Sequence, residues 1–341
     1  EKATLLYNTV SDGMNRGEMS RFMLQLLIEW GYPVQRKQLE AEQSPIASSP
    51  ICIPKSPDIM KRMQSVFDVR VNPKALLSPS ALNCYLDCPL KFYYKYVAGL
   101  AAPEEVSAEI DSAKFGSIFH YAAEHIYKEL TAHGKVINKD TLEALLQEEV
   151  KLQNYVDNGF KELFFHLPAD ERPEYNGVQL INSAVILRYI QQLLHNDLRH
   201  APFTFVGSEQ RVMEDVEIQT PKGGIRSRMG GIIDRMDSKD NVLRIVDYKT
   251  GGKADTPPSV ESLFTPADNR PNYIFQTFLY AAIMSRQQSL KVAPSLLYIH
   301  RAASESYSPV IEMGEPRQPK IPVNNFAFFE DEFRERLQRL L

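Results

Sequence analysis

Beyond Pro202 the apolar residues of this 341-residue chain stop recurring every three or four positions and begin to alternate. A period near 3.6 lines side chains along one stripe of a helix, whereas a period of 2 puts them on one face of a sheet. The chain therefore joins a helical half to a sheet-bearing half, and the expected fold class is α+β. Four alternating stretches, 203–206, 209–218, 225–236 and 241–248, follow one another with turn residues at 221–224 and 237–241. That succession predicts an antiparallel meander. A Pro-rich loop over 256–271 leads to a helix over 273–289, a strand over 295–301 and an amphipathic helix over 330–341.

Ahead of the strands the punctuation is helical. Ser20 can cap a helix over 20–30, with Phe22, Leu26, Leu27 and Ile28 on its apolar face and Gly31 ending it. Residues 41–58 then turn rich in Ser and Pro, with Pro45, Pro50, Pro54 and Pro57, a composition that reads as linker. The expected organisation is a small leading segment over 1–40, a linker over 41–76 and a main domain over 77–341. Ser78 followed by Pro79 marks a helix start and predicts a helix over 79–88, resuming over 91–96. Helical spacing recurs over 114–132, 140–165 and 177–198, the last two forming a helical insertion over about 140–198.

Composition removes several function classes. At 43% hydrophobic and 24% charged, the chain is of ordinary globular type rather than disordered or fibrous. No apolar run approaches the roughly 18 residues of a membrane helix, so no membrane association is expected. Three cysteines, Cys52, Cys84 and Cys88, are too few for a disulfide framework and point to a reducing compartment, the cytoplasm. A net charge of −4 decides nothing about nucleic acid, because binding depends on a local basic groove. Phosphate-loop, serine-hydrolase and zinc-protease motifs are all missing.

The informative stretch runs from Gly230 through Asp234, Arg235 and Asp237, crosses a turn, and continues from Arg244 to Asp247, Tyr248, Lys249, Thr250 and Gly251. Adjacent antiparallel strands would bring Asp234 beside Asp247, with Lys249 two positions on and so on the same face. Paired carboxylates repel one another unless a divalent cation sits between them, and a hard ion such as Mg²⁺ suits oxygen donors. Such a cation polarises a phosphoryl group, and a lysine beside it can orient or deprotonate the attacking water, so phosphodiester hydrolysis is within reach. The bland alternative is that Asp234 and Asp237 simply pair with Arg235 or Lys239. Elsewhere, Gly116 and His120 stand one helical turn apart, the glycine permitting close approach of a backbone and the imidazole serving as a candidate metal ligand. Gln276 and Tyr280 share a helix face and can reach a nucleic-acid backbone.

Taken together, these features resemble the PD-(D/E)xK nuclease superfamily, and in particular its RecB-like branch. Ser78, Ser80, Leu82, Tyr85, Cys88-Pro89 and Phe92-Tyr93-Tyr94 match the branch's entry motif. Gly116 and His120 match Gly-x-x-x-His. Gly231, Asp234, Arg235 and Asp237 match Gly-x-x-Asp-Arg-x-Asp. Asp247 through Gly251 match Asp-Tyr-Lys-Thr-Gly, and Gln276 and Tyr280 match Gln-x-x-x-Tyr. The resemblance implies a nuclease core with a central mixed sheet flanked by helices. It implies that His120, Asp234, Asp247 and the carbonyl of Tyr248 bind Mg²⁺ or Mn²⁺, with Asp234, Asp247 and Lys249 catalytic and Gln276 and Tyr280 on the DNA.

Within the branch the chain looks most like the nuclease domain of AddB-type helicase-nuclease subunits. The activity this implies is exonucleolytic, metal-dependent hydrolysis of DNA in double-strand break repair, alongside a partner subunit. The first residue is Glu1 and the segment 1–40 is similar to the tail of a helicase-like region, so the chain is expected to be a piece of a longer one. Many relatives carry an iron–sulfur cluster on four cysteines, and Cys88 matches one of them. No cysteine follows it, so no cluster is expected. Single-stranded DNA is the expected substrate, with the aromatics of 92–96 and Lys91 and Lys95 able to stack bases, although such tyrosines more often pack a core. The alternative of another class is a non-catalytic DNA-binding or scaffolding module that keeps the nuclease fold.

Overall fold

The structure, a computed structural model, describes residues 4–7, 11–12, 15–16, 19–31, 33–37, 51–101, 109–168, 171–220 and 223–341. Parts of the expected linker (41–50), of the leading apolar segment (8–10) and of the hairpin turn (221–222) lie outside them. The chain divides into two compact units, Glu1–Cys52 and Ile53–Leu341.

The first unit holds a two-residue ladder, Ser11–Asp12 with Asn15–Arg16, and one helix, Arg21–Ile28. Ser20 caps that helix by accepting from Met23 N–H, as its position predicts.

The second unit opens on a correction. Residues 57–67, expected as linker, form helix α1 (Pro57–Phe67). Pro57 does not break the chain but is the first residue of the helix, where a missing N–H costs nothing, and Ser56 supplies the cap. Phe67 is buried and stacks on Phe92 at 5.6 Å. Helix α2 (Pro79–Asp87) starts at its Ser78 cap as expected. Pro89–Phe92 continues into a wide turn, Tyr93–Val97, closed by Ala98 N–H on the Tyr93 carbonyl. Phe92 is buried there, while Tyr85 and Tyr94 stay exposed.

Helix α3 (Ser112–Leu130) precedes a short strand β1 (Val136–Ile137), and three helices make up the insertion: α4 (Lys139–Leu146), α5 (Glu149–Phe160) and α6 (Gly177–His200). Three strands follow, β2 (Phe203–Thr220), β3 (Gly223–Lys239) and β4 (Val242–Lys249). Then come α7 (Asn272–Gln287), β5 (Lys291–Tyr298) and, at the end, α8 (Ala327–Leu340). The sheet runs β1-β2-β3-β4-β5, antiparallel except for the parallel β4–β5 pair, so it is mixed as expected. The two stretches expected at 203–206 and 209–218 are one strand interrupted by a bulge between Phe205 and Gly207.

Alternation along β4 assigns the two faces. Leu243 and Ile245 share one core cluster with Phe275 and Phe278 of α7, while Val246 and Tyr248 share a second with Phe119 of α3 and Ile190 of α6. Phe275, Phe278, Phe326 and Phe333 are all fully buried, each contributing roughly 1.5–3 kcal/mol on removal from water. Among the described residues no helix is long and apolar enough to cross a membrane.

Candidate active site

The antiparallel register pairs Arg235 with Val246. One step along, Asp234 therefore faces Asp247 on the α7 side of the sheet, and Lys249 follows on that side two residues later. Both acids are largely buried, with side chains 12% and 3% exposed. Lys249 Nζ lies 2.6 Å from Asp247 Oδ2 and 4.3 Å from the centre of the Tyr273 ring. The other Asp247 oxygen accepts from Gln276 Nε2 at 3.0 Å. Asp234 Oδ2 accepts from Tyr248 N–H at 2.6 Å, which leaves Oδ1 facing His120 Nδ1 at 3.6 Å. His120 arrives on α3 because Ile118, Phe119, Ala122 and Ile126 bury that helix against the opposite face.

A residue that the sequence reading passed over completes the group. Ser208 pairs with Arg235 and Gln210 with Ile233, so Glu209 stands opposite Asp234. Glu209 Oε1 is 3.6 Å from His120 Nδ1, and ligand atoms of His120, Glu209 and Asp234 all lie within 4.8 Å of one another. Glu209 adopts a left-handed backbone, φ 48°, which a side chain with a Cβ rarely takes. Only its place just beyond a bulge-prone Gly207 could have flagged it from sequence.

Burial, with the neighbouring Asp247 charge adding to it, pushes the Asp234 carboxyl up to about 7, against the opposing pull of His120 and Lys249. Burial alone would lower the His120 imidazole, but Asp234, Glu209 and Asp247 outweigh it and raise the pKa. Lys249 follows the same balance, burial opposed and overcome by Asp247. An acid left partly protonated by burial and like charge is one that a divalent cation would return to its ionised form. One imidazole nitrogen among carboxylate oxygens suits Mg²⁺ or Mn²⁺, so the donor set fits.

Other sequence-derived residues fall elsewhere. Asp237 lies on the opposite face, fully buried and paired with Arg235 at 2.8 Å and Arg244 at 2.8 Å, so for Asp237 the structural pairing holds and for Asp234 it does not. Arg235 also binds Asp197 through two contacts, 2.5 and 2.9 Å. Gln276 faces the Asp247 carboxylate. Tyr280 is 4% exposed and packs on Gly231, so both residues point into the cluster rather than out toward a nucleic-acid backbone. A Cβ on Gly116 would meet only Thr250 Oγ1 at 3.6 Å, an ordinary contact, so the close approach expected there is not needed. Cys84 and Cys88 are half-buried free thiols, Cys88 accepting from Lys91 N–H at the start of a helical turn.

A mixed sheet bearing an acid pair and a lysine on adjacent strands, with a histidine helix beside it, defines a restriction-endonuclease-like core. The sequence profile of the PD-(D/E)XK nuclease superfamily matches residues 76–341, and the chain belongs to that superfamily. Two curated proteins are similar to it, each the B-type polypeptide of an ATP-dependent helicase/deoxyribonuclease. That of Carboxydothermus hydrogenoformans is 28% identical over 188 residues, 52% of this chain and 16% of that protein. That of Leuconostoc mesenteroides subsp. mesenteroides is 25% identical over 201 residues, 56% of this chain and 16% of that protein. The matched part is thus about a sixth of the length of either relative.

Proposed function

We propose that this chain is the nuclease domain of a helicase-nuclease subunit, hydrolysing phosphodiester bonds of DNA with Mg²⁺ or Mn²⁺. The reading rests on one observation above all: His120, Glu209, Asp234, Asp247 and Lys249, drawn from four elements, converge on one partly buried spot. His120, Asp234, Asp247 and the Tyr248 carbonyl would hold the cation, with Glu209 beside them. The Tyr248 carbonyl leaves its strand on the same edge as the N–H that meets Asp234. When bound, the cation supplies Lewis-acid polarisation of the phosphoryl oxygen and a more acidic water.

The chain's own residues do the rest. Lys249, anchored by Asp247, orients the attacking water, can take its proton when deprotonated, and steadies the negative charge that grows on the phosphoryl oxygens. Gln276 fixes the Asp247 carboxylate through its amide, and Tyr280 acts behind Gln276, so their effect on DNA is indirect. Exposed Tyr85 and Tyr94, near Lys91 and Lys95, offer stacking surfaces for unpaired bases and favour a single-stranded substrate. Exonuclease action, a partner subunit, a role in break repair in the cytoplasm, and a helicase-like origin for residues 1–40 complete the proposal.

The test is cleavage of end-labelled linear single- and double-stranded DNA with Mg²⁺ or Mn²⁺. Lys249→Ala is expected to slow cleavage by roughly 10²–10⁴-fold, the usual range for losing an acid–base group, while still binding Mn²⁺. Asp247→Ala is expected to abolish cleavage with the fold intact. Equal cleavage by wild type and both variants would count against this site, and no cleavage by the wild type would leave a DNA-binding module without catalysis.

A further inference from the structure

A cavity of about 420 Å³ opens on the face of the sheet away from the acid pair, between the end of α6, the first residues of β4 and β5, and the segment 307–310. Its size falls within the roughly 300–1,000 Å³ typical of small-ligand sites. Four basic side chains line it: Arg199, His200, Lys239 and Arg244. Asp237 is the acid among them, and Arg235 and Arg244 already engage its carboxylate. His200 Nε2 also stands 3.5 Å from Asp237 Oδ1, whereas Arg199 and Lys239 have neutral partners only. Arg199 donates to the Ala302 carbonyl at 3.1 Å, and Lys239 to the His200 carbonyl at 2.6 Å. Neither forms an ion pair with a carboxylate among the described residues. The C-terminal end of α6 presents only about half a negative charge, too little to balance two full positive ones.

Ser295 supplies an independent observation. Its side chain lines the same cavity, it is 1% exposed, and its Oγ has no hydrogen-bond partner. A buried hydroxyl left unpaired costs about 1–3 kcal/mol, so a native position of this kind asks for an acceptor that arrives from outside. Uncompensated guanidinium and ammonium groups around a hydroxyl donor are the chemistry that recognises a phosphate group.

We propose that this cavity is a binding site for the phosphate group of a nucleotide, distinct from the catalytic cluster on the opposite face. Arg199 and Lys239 supply the charge, Ser295 Oγ donates to a phosphate oxygen, and the remaining volume takes the sugar. Such a site holds either a free nucleotide or the phosphorylated end of a DNA strand, and the two sources separate by experiment.

Calorimetric titrations in EDTA isolate this cavity, because without a cation the acids on the other face repel phosphate. The probes are inorganic phosphate, deoxyadenosine 5′-monophosphate and a 5′-phosphorylated tetradeoxynucleotide. Arg199→Gln and Lys239→Gln are each expected to weaken binding roughly tenfold, the size of one lost charge-assisted contact. Ser295→Ala is expected to weaken binding while leaving the melting temperature unchanged or higher, since it removes an unpaired hydroxyl. Tighter binding of either nucleotide probe than of inorganic phosphate supports the assignment, and which of them binds better identifies the source. Equal affinity for all three probes overturns the nucleotide assignment. No binding to the wild type, or unchanged affinity in folded Arg199→Gln and Lys239→Gln variants, overturns the site itself.

Discussion

The Tyr248 N–H donates to Asp234 Oδ2 across the two strands that carry the acids, at 2.6 Å, and so fixes which oxygen of Asp234 faces His120. Because burial and Asp247 lift this carboxyl from 3.8 to about 7, the folded state holds a proton that the unfolded chain has lost. A raised acid weakens the folded state, so metal-free stability should fall as pH climbs from about 4 to about 7. Asp234→Asn keeps an oxygen for Tyr248 and removes the charge. Urea denaturation in EDTA should show wild type weaker at pH 8 than at pH 5 and the variant falling less across that range, while DNA cleavage is lost. An equal pH dependence in both proteins would mean that Asp234 titrates as an ordinary acid.

Glu209 separates ligand geometry from backbone strain. Its left-handed φ of 48° costs roughly 1–2 kcal/mol for a residue with a Cβ and nothing for glycine. Glu209→Gly should therefore fold at least as stably as wild type, yet bind Mn²⁺ roughly 10–100-fold more weakly if the carboxylate helps hold the ion or its histidine. Glu209→Ala should keep the strain of the wild type and lose the same Mn²⁺ affinity. Titration calorimetry with Mn²⁺ and melting curves read the two effects separately, and unchanged Mn²⁺ affinity in Glu209→Gly would remove this residue from the site.

Two glycines that match family motifs are expected to behave differently. A Cβ on Gly231 would come within 2.6 Å of the Tyr280 hydroxyl, whereas one on Gly116 meets nothing closer than 3.6 Å. Gly231→Ala should cost roughly 1–3 kcal/mol by overpacking and disturb the Gln276 side of the acid pair. Gly116→Ala, inside helix α3, should be neutral or gain up to about 1 kcal/mol. Tyr280→Phe removes the closest clashing atom and should recover part of the Gly231→Ala loss. A double-mutant cycle in urea checks this, and strict additivity would show that the two residues do not press on each other.

The sheet was legible because apolar and polar residues alternate through parts of β3 and β4 and their turn is marked by Asp240 and Asn241, both with positive φ. The same alternation is enough to put Asp234, Asp247 and Lys249 on one face. Helix α1 was hidden because Pro57 reads as a breaker when counted with its neighbours and as a helix start only beside Ser56. One helix expected over 140–165 is instead α4 and α5, broken around Gln147 and Glu148, where apolar spacing continues across the break. Glu209 was hidden for a different reason. It lies on a strand whose side-chain direction is reset by the bulge after Phe205, and no period predicts where a bulge falls. Helical spacing gives Gln276 and Tyr280 a shared face but not what that face meets: Gln276 is half-buried against Asp247 and Tyr280 is buried.

Arg235 follows Asp234 directly, and its guanidinium is fully buried between Asp197 and Asp237, over the rings of Tyr127 and Phe203. Burial opposes ionisation of Asp237, but Arg244 and Arg235 overcome it and hold that carboxyl far below its usual range. A depressed acid stabilises the fold above its unfolded pKa of about 4, and the contribution is lost as pH falls further. Asp237→Asn should therefore lower stability at pH 7 and flatten its decline in acid. Arg235→Met should cost more, about 3–5 kcal/mol, because Asp197 is left buried without its guanidinium. Adding Asp197→Leu removes that orphaned charge and should restore much of the loss. Because Arg235 also donates to the Tyr248 hydroxyl at 3.3 Å, the network braces the two residues adjoining the acids, and Arg235→Met should slow cleavage even where it remains folded. Denaturation curves at pH 7 and pH 3 test this balance of charges. If Arg235→Met alone were as stable as the Arg235→Met, Asp197→Leu pair, the buried ion pair would not be what holds these strands.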